Sequence, residues 1–452
     1  MLFERIRNHD PEKIALRDEK KVVRYGDLEH EIQKRADALY DVSVLAVALD
    51  NSVDWVLWDL AVLKAGIPCV PLPPFFTQEQ IRHALQAAGA SHILSPEGLR
   101  NSGMERKGML PERTAKVTFT SGTTGTPKGV CLPQSAMENV AHSIVDVLGE
   151  EFAGIHAGIL PMAVLLENVA GVYAGLMAGC TVTLTGLQRF GRNYENIHEI
   201  LNSCKATSII LVPEILRVLM AQVAAKGALP DLKFIAVGGS KIDPALIAQA
   251  RQMGLPAYEG YGLSECASVV SLNTPKNDKP GSVGKILPHV KTRISEGEIQ
   301  IENPGFLGYV GEGAPEIFGT GDLGTIDEDG FLSVTGRKKN ILITSYGRNI
   351  SPEWVESVLL TQPAIAQVIV YGDAQPHLSA LIVPSSAQSD IQKAVNVVNQ
   401  LLPEYAQIKD FQVVPAFSLA NDTMTGTGRP RRDQILKNHA KEMSYELLQQ
   451  AG

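Results

Sequence analysis

The sequence predicts an α/β protein: a large N-terminal domain of parallel-rich sheets sandwiched by helices, a small β-rich subdomain, and a small α+β C-terminal domain. Three observations carry this. The 452 residues exceed what one hydrophobic core ordinarily organises, so two or more folding units are expected. Strand-like and helix-like patterns alternate as far as about Met253, as parallel sheets covered on both faces require. From Gly297 to Val334 the pattern changes to short strands with Gly and Pro turns, and a fresh α+β pattern follows the basic run Arg337-Lys338-Lys339.

Taken in order, Tyr25 to Leu39 spaces its apolar residues as an amphipathic helix and Val44 to Leu49 is a short apolar strand. Trp55 to Gly66 is helical again, and Ile67 to Leu72 extends up to the proline pair Pro73-Pro74. Lys116 to Thr120 reads as a strand and Ser135 to Leu148 as a helix. The alternation recurs at Thr181 to Leu184, Ile197 to Cys204, Thr207 to Leu211, Leu232 to Val237 and Pro244 to Met253. Ser351-Pro352-Glu353 is a helix start, with a capping hydroxyl, proline at the first position and an acid in the first turn. Beyond it, Ile365 to Tyr371, Ala380 to Val383 and Phe411 to Val414 read as strands and Ser389 to Leu402 as a helix. The expected boundaries are an N-terminal domain over 1–336, a hinge at 337–340 and a C-terminal domain over 341–452.

Apolar residues at 44% and charged residues at 20% describe a soluble globular protein. Lys and Arg number 41 against 49 Asp and Glu, a net charge of −8 that gives no general pull toward nucleic acid or anionic membrane. Cys69, Cys131, Cys180, Cys204 and Cys266 are scattered without a CxxC pair, so reduced thiols are expected rather than a disulfide framework or zinc site. The start, MLFERIRNHDPEK, has no apolar signal core, and no apolar run is long enough to span a bilayer. A cytoplasmic protein without integral membrane association is the expectation. His142, His156, His198 and His289 show neither HxxxH nor HExxH spacing and read as surface or satisfied core residues.

Chemistry concentrates in a few strings. Val117 to Val130 read VTFTSGTTGTPKGV: Gly122, Gly125 and Gly129 are interleaved with Thr120, Ser121, Thr123, Thr124 and Thr126, and Lys128 follows Pro127. Glycine lets backbone approach a polyphosphate, hydroxyls and amides donate to its oxygens, and lysine adds a point charge. A Walker A loop would end Gly-Lys-Ser/Thr, which this does not. A Thr/Gly-rich surface loop is the plain alternative. Further on come LPMAVLLE (Leu160 to Glu167), AVGGS (Ala236 to Ser240), EGYGLSE (Glu259 to Glu265), TGD (Thr320 to Asp322), GRKK (Gly336 to Lys339) and YGRN (Tyr346 to Asn349). Singly, each is a turn, a loop or a solvated basic run.

Together and in this order, from about Phe3 to Leu436, they resemble the adenylate-forming superfamily, which includes acyl- and aryl-CoA synthetases and acyl-AMP ligases. The resemblance implies a phosphate loop at Thr120, Ser121, Gly122, Thr123, Thr124, Gly125 and Lys128. It implies adenine stacking on Tyr261 beside Gly239 and Gly262, an α-phosphate contact from Ser264, and Mg²⁺ on Glu265. Asp322 and Arg337 take the ribose, and a carboxylate is the natural acceptor for a vicinal diol. Val164, Gly238, Gly239, Ser240, Gly262 and Cys266 line an acyl pocket, with Val164 where the family often places a histidine or aromatic gate. Gly347, Arg348 and Asn349 line a thiol tunnel, and Lys339 is the pivot of a mobile C-terminal domain. The chain departs from the family at Thr425-Gly426-Thr427-Gly428-Arg429, where Arg429 occupies the position of the adenylation lysine.

The activity implied is activation of a fatty or aryl carboxylic acid by ATP and Mg²⁺ to an acyl-adenylate, then transfer to a thiol with release of AMP. Lys128, Ser264, Glu265 and Arg429 would be the catalytic set. The thiol is that of CoA or of the phosphopantetheine on an acyl carrier protein, as in acyl-AMP ligases of biosynthetic pathways. A nucleotide- or acyl-AMP-binding protein without turnover is the alternative from another class.

Overall fold

The helix Val53–Lys64 is apolar on nearly every face, with Val53, Trp55, Val56, Leu57, Leu60, Ala61, Val62 and Leu63 buried. Such a helix belongs between layers. The computed structural model, described over 1–452 except 105–107, 121–126, 150–151, 191–193, 347, 419, 425–428 and 440–452, supplies those layers. The chain divides into two units, Met1–Thr320 with Thr325–Ser333, and Gly321–Gly324 with Val334–Gly452.

The first unit holds two large sheets. One has seven strands in the order β18 (Gly308–Tyr309), β8 (Lys128–Pro133), β7 (Thr114–Thr120), β4 (Cys69–Pro71), β3 (Leu45–Val47), β5 (His92–Ser95) and β6 (Gly98–Asn101). Its centre is parallel, through β5, β3, β4 and β7, and antiparallel strands close both edges. The other has nine: β15 (Lys285–Ile286), β14 (Ser268–Leu272), β13 (Ala257–Leu263), β12 (Phe234–Val237), β11 (Ser208–Leu211), β9 (Ile155–Gly158), β10 (Thr181–Leu184), β1 (Ile14–Arg17) and β2 (Val22–Arg24). From β13 to β1 every pairing is parallel.

The helix Gln134–Leu148 packs on β7 and β8 of one sheet and on β14 of the other. One core therefore joins both sheets, including Val47, Val130 and Leu132 from the first and Ala157, Val182 and Leu211 from the second. On the far face of the seven-stranded sheet, Ala46, Val70, Val117, Phe119 and Cys131 pack under the helix Gln78–Ala88 through Ala84, Leu85 and Ala88. Thr77 and Gln80 form a capping box at its start, and Gly89 ends it at φ 65°.

A four-stranded sheet, β16 (Lys291–Ser295), β17 (Glu298–Glu302), β19 (Ile317–Ile326) and β20 (Leu332–Arg337), is the expected β-rich segment. The second unit continues with the antiparallel pair β21 (Leu342–Ile343) and β22 (Asn349–Ile350), and with β23 (Ile365–Tyr371), β24 (Leu378–Pro384) and β25 (Ile408–Val413). Helices Pro352–Leu359 and Ile391–Leu401 contribute Val355, Leu359, Val395 and Val398 to its own core. Among the described residues no helix is long and apolar enough to cross a membrane.

Two buried polar clusters tie elements that the sequence left separate. Lys116 on β7 lies 2.8 Å from Asp59 Oδ1, off the hydrogen-bond axis, and donates at 3.0 Å to Oδ2. Asp59 Oδ2 also accepts from Asn168 and Tyr173 at 3.0 and 2.6 Å. All four side chains are at most 1% exposed. Asn168 and Tyr173 both lie in a π-helical stretch, Leu166–Tyr173, whose wider turn suits a five-residue separation. At its start, buried Glu167 sits 2.9 Å from His156 Nε2 and accepts at 3.1 Å from the amide of Leu160. A Cβ at Gly171 would fall 2.2 Å from Glu167 Oε1, so the pair leaves no room for a side chain there.

Candidate active site

The expected phosphate loop connects β7 to β8 as a hairpin, its ends meeting where Thr120 pairs with Lys128. Ser121, Gly122, Thr123, Thr124 and Gly125 lie outside the described residues. Lys128 is the first residue of a returning strand rather than part of a coil, a strand that local pattern did not reveal. Gly129 also has a different explanation from the one the sequence invites. It is buried in β8, and a Cβ there would stand 2.8 Å from Val310 and 3.0 Å from the Phe119 ring, so its need is packing.

The two glycine-rich motifs are neighbours because β12 and β13 pair in parallel, Val237 opposite Glu259. Just past β12, Gly238 is buried and a Cβ on it would come within 3.2 Å of the Gly260 carbonyl; Gly239 has φ +93°. Gly239 and Ser240 are exposed. Along β13 the register shifts between Tyr261 and Gly262, a bulge of the kind that re-aims side chains beside sites. A Cβ on Gly262 would lie 1.8 Å from the Ser268 carbonyl oxygen, so only glycine fits. Ser264, Glu265 and Cys266 form one 3-10 turn, followed by Ala267 and Ser268 at φ 58° and 141°. Two successive non-glycine residues in this region mark stored backbone strain. Cys266 is buried, and that burial pushes its thiol well up, which makes it a wall residue rather than a nucleophile.

Tyr309, which no sequence motif singled out, brings Lys128 and Glu265 together. Its hydroxyl donates to Glu265 Oε1 at 2.8 Å, and Lys128 Nζ stands 4.9 Å from its ring centroid. Burial and the Glu265 carboxylate both push the phenol upward, so it remains the proton donor. Nearby on β13, burial raises the Glu259 carboxyl to about 8, with Lys241 opposing and Asp243 reinforcing the shift.

Val164 is half-buried in the turn before the π-helical stretch, its amide bonded to the Pro161 carbonyl at 3.0 Å. The histidines are structural: His198 to the Gly227 carbonyl, His289 to Ser143, His142 to Asp146 and His156 to Glu167. A cavity of about 280 Å³ lies elsewhere, among Phe3, Ile6, Tyr25, Ile32 and Lys64.

In the second unit, Arg337 Nε lies 2.7 Å from Asp322 Oδ1, with Asp322 8% and Arg337 40% exposed at the side chain. The two residues expected at a ribose are thus side by side. Lys339 is exposed in the turn Lys338–Asn340 that leaves β20, and Asn340 is tied to Glu353 at the start of the helix Pro352–Leu359. Gly347 lies outside the described residues. Arg348 and Asn349 are exposed, and the Arg348 guanidinium stands 5.8 Å from the Tyr405 ring. Arg429 is exposed, while the arginines beyond it anchor the segment: Arg431 to Asp422 at 2.8 Å, and Arg432 to the Val370 carbonyl at 2.6 Å and to buried Glu356.

The chain belongs to the AMP-binding enzyme family. The family's main model matches residues 3–312, and the model of the AMP-binding enzyme C-terminal domain matches 339–446. The chain is 27% identical to long-chain-fatty-acid–CoA ligase FadD15 of Mycobacterium bovis, over 91% of this chain and 90% of that protein. It is 27% identical to 2-succinylbenzoate–CoA ligase of Bacillus subtilis, over 80% and 82% of the two chains. Solved structures share the fold: the anthranilate CoA ligase AuaEII with anthranoyl-AMP (TM-score 0.82, 19% identity, 97% and 96% covered) is one. The Bacillus subtilis O-succinylbenzoate CoA synthetase MenE with ATP and magnesium is another (TM-score 0.78, 24% identity, 96% and 98% covered).

Proposed function

We propose that this chain is an AMP-forming acid:thiol ligase that makes acyl-CoA. A carboxylate oxygen attacks the α-phosphorus of ATP, forming an acyl-adenylate as pyrophosphate leaves. A thiolate then attacks the acyl carbon, forming the thioester as AMP leaves with the bonding pair. The observation that carries this reading is the meeting of Lys128 and Glu265 on Tyr309 at the foot of the hairpin from Thr120 to Lys128. It puts a phosphate-seeking cation and a metal-seeking carboxylate in one place, within a chain of this family.

The donor set fits Mg²⁺. Among the described residues no cluster of three His, Cys, Asp or Glu could hold a metal by itself. A single carboxylate such as Glu265 suits an ion that is completed by water and substrate phosphates. When bound, Mg²⁺ neutralises phosphate charge and strengthens pyrophosphate as a leaving group.

The residues' own work is positioning and charge neutralisation. Lys128 and the loop hydroxyls take the pyrophosphate side, Ser264 the α-phosphate, and Tyr261 the adenine. Asp322, oriented by Arg337, accepts from the ribose hydroxyls. Arg429 lies between the carboxylate and the α-phosphate during adenylation, two anions that otherwise repel. Rotation at Lys339 then exchanges Arg429 for the loop at Gly347, Arg348 and Asn349 for thiol attack. Val164, Gly238 and Cys266 belong to the acyl wall.

CoA is the proposed acceptor because the relatives that cover most of this chain are named as CoA ligases. Their acids range from long-chain fatty acids to 2-succinylbenzoate, so the proposal extends to the class of acid only. The test is incubation with ATP, Mg²⁺, CoA and a panel of fatty, aromatic and dicarboxylic acids, read by mass spectrometry. One acid should give AMP and its CoA thioester, and omission of CoA should leave its acyl-adenylate. An acyl-adenylate that passes to a carrier-protein thiol but not to CoA would shift the acceptor, and no AMP with any acid would overturn the reading.

A further inference from the structure

Tyr309 has no role in the reaction outlined above, yet it touches both charged groups on the pyrophosphate side. Its delivery there is specified by the fold. β18 pairs antiparallel with β8, setting Tyr309 opposite Val130, two residues beyond Lys128. Gly308 has φ +114°, and a Cβ on it would lie 2.2 Å from the Glu312 carbonyl oxygen, so a side chain there would disturb the turn that carries the tyrosine. The Phe306 ring meets the Tyr309 ring edge-on at 5.5 Å and fixes its plane.

The result separates two charges that would otherwise neutralise each other. A lysine and a glutamate this close to one ring have the reach for a direct ion pair, and a paired lysine is a weaker ligand for phosphate. Among the described residues Lys128 and Glu265 form no ion pair with each other. The ammonium lies against the ring and the carboxylate accepts from the hydroxyl. The hydrogen bond uses one of the carboxylate's acceptor positions, and the others stay available to a cation.

We propose that Tyr309 is a positioning residue for the metal and pyrophosphate side of the site. Its hydroxyl orients the Glu265 carboxylate, and its ring face holds Lys128 as an independent cation rather than as the counter-ion of Glu265. Partners that orient a metal-binding carboxylate typically change metal affinity by about 10- to 100-fold when removed. This inference rests on the metal role of Glu265 and the phosphate role of Lys128 in the proposed function.

The test is Mn²⁺ binding to the full-length protein with ATP, followed by electron paramagnetic resonance of free Mn²⁺, which needs no turnover. Tyr309→Phe keeps the ring and removes the hydroxyl. It should raise the Mn²⁺ dissociation constant by about tenfold, while metal-free ATP affinity and the melting temperature stay near those of the parent. Tyr309→Leu, which also removes the ring face, should additionally weaken metal-free ATP binding. Glu265→Gln is the reference. If it weakens Mn²⁺ binding and Tyr309→Phe does not, the inference falls and the proposed function stands. If neither weakens Mn²⁺ binding, the metal role of Glu265 falls and takes the inference with it. Should Tyr309→Leu fail to fold, Tyr309→Phe alone decides.

Discussion

Arg337 Nε and Asp322 Oδ1 are 2.7 Å apart, with the carboxylate nearly buried and the guanidinium partly in solvent. The arginine therefore compensates a carboxylate that would be costly to bury alone, and in the proposed ribose role it would hold the carboxylate plane for a diol. Asp322→Ala should weaken ATP binding by roughly 1.5–3 kcal/mol per lost charge-assisted bond and leave the fold intact, because Arg337 can turn to water. Calorimetric titration with ATP measures this. An unchanged affinity removes Asp322 from the ribose.

Lys339 sits in the short turn that leaves β20, and its neighbour Asn340 is fixed to Glu353. A pivot there must change φ and ψ between two states. Lys339→Pro restricts its own φ and the residue before it. Acyl-adenylate formation should persist while thioester formation collapses, as stopped-assay mass analysis can separate. Equal loss of both would place the pivot elsewhere.

The Lys116–Asp59 pair predicts a stability effect apart from catalysis. Lys116→Met removes the cation and leaves a carboxylate that is 1% exposed. Breaking one partner of a buried pair costs about 3–5 kcal/mol, whereas replacing both can be close to neutral. Thermal melting of Lys116→Met and of Lys116→Met with Asp59→Leu should show a deep loss and a partial recovery. Equal melting of Lys116→Met and parent would mean the ammonium is not the partner that Asp59 depends on.

Glu259 sets a pH dependence. Burial raises its folded pKa to about 8, above the unfolded carboxyl, so the fold prefers the protonated form. Its stabilisation is complete below the unfolded value and is lost as pH rises through about 8. Glu259→Gln mimics the protonated group at every pH. Its melting temperature relative to the parent should rise between acid and mildly alkaline pH. A flat difference would show that Glu259 ionises normally.

Local pattern was a good guide where structure is local. The helix Ile197–Cys204 and the strand Ile365–Tyr371 fall where their apolar spacing places them, and Ser351 caps its helix by accepting from the Trp354 amide. The pairings that shape the site were not legible, because they join residues far apart in sequence. Asp59, Lys116 and Asn168 lie in three segments far apart in sequence, and nothing local says that they meet. Tyr309 and Glu265 are brought together by sheet order, which periodicity does not encode. Gly129 and Gly262 read as backbone freedom, yet each is glycine because a neighbouring side chain or carbonyl fills the Cβ position.

Arg429 is proposed to stand in the position of the family's adenylation lysine. Arginine keeps the charge in a bulkier, forked form. If it bridges carboxylate and α-phosphate, its contribution grows in the transition state, so Arg429→Ala should slow acyl-adenylate formation by roughly 10²-fold or more and change ATP affinity little. Arg429→Lys should retain activity or improve it. Single-turnover adenylation by the two variants measures this, and full-rate adenylation by Arg429→Ala ends the assignment.

The central claim is that this chain joins a carboxylic acid to the α-phosphate of ATP. Exchange of labelled pyrophosphate into ATP tests that half-reaction alone, without any thiol. Across a panel of fatty, aromatic and dicarboxylic acids with Mg²⁺, exchange should appear with at least one class of acid and vanish when acid or Mg²⁺ is withheld. Exchange that is absent with every acid, in a protein that still binds ATP, would contradict the account and leave a nucleotide-binding protein without turnover.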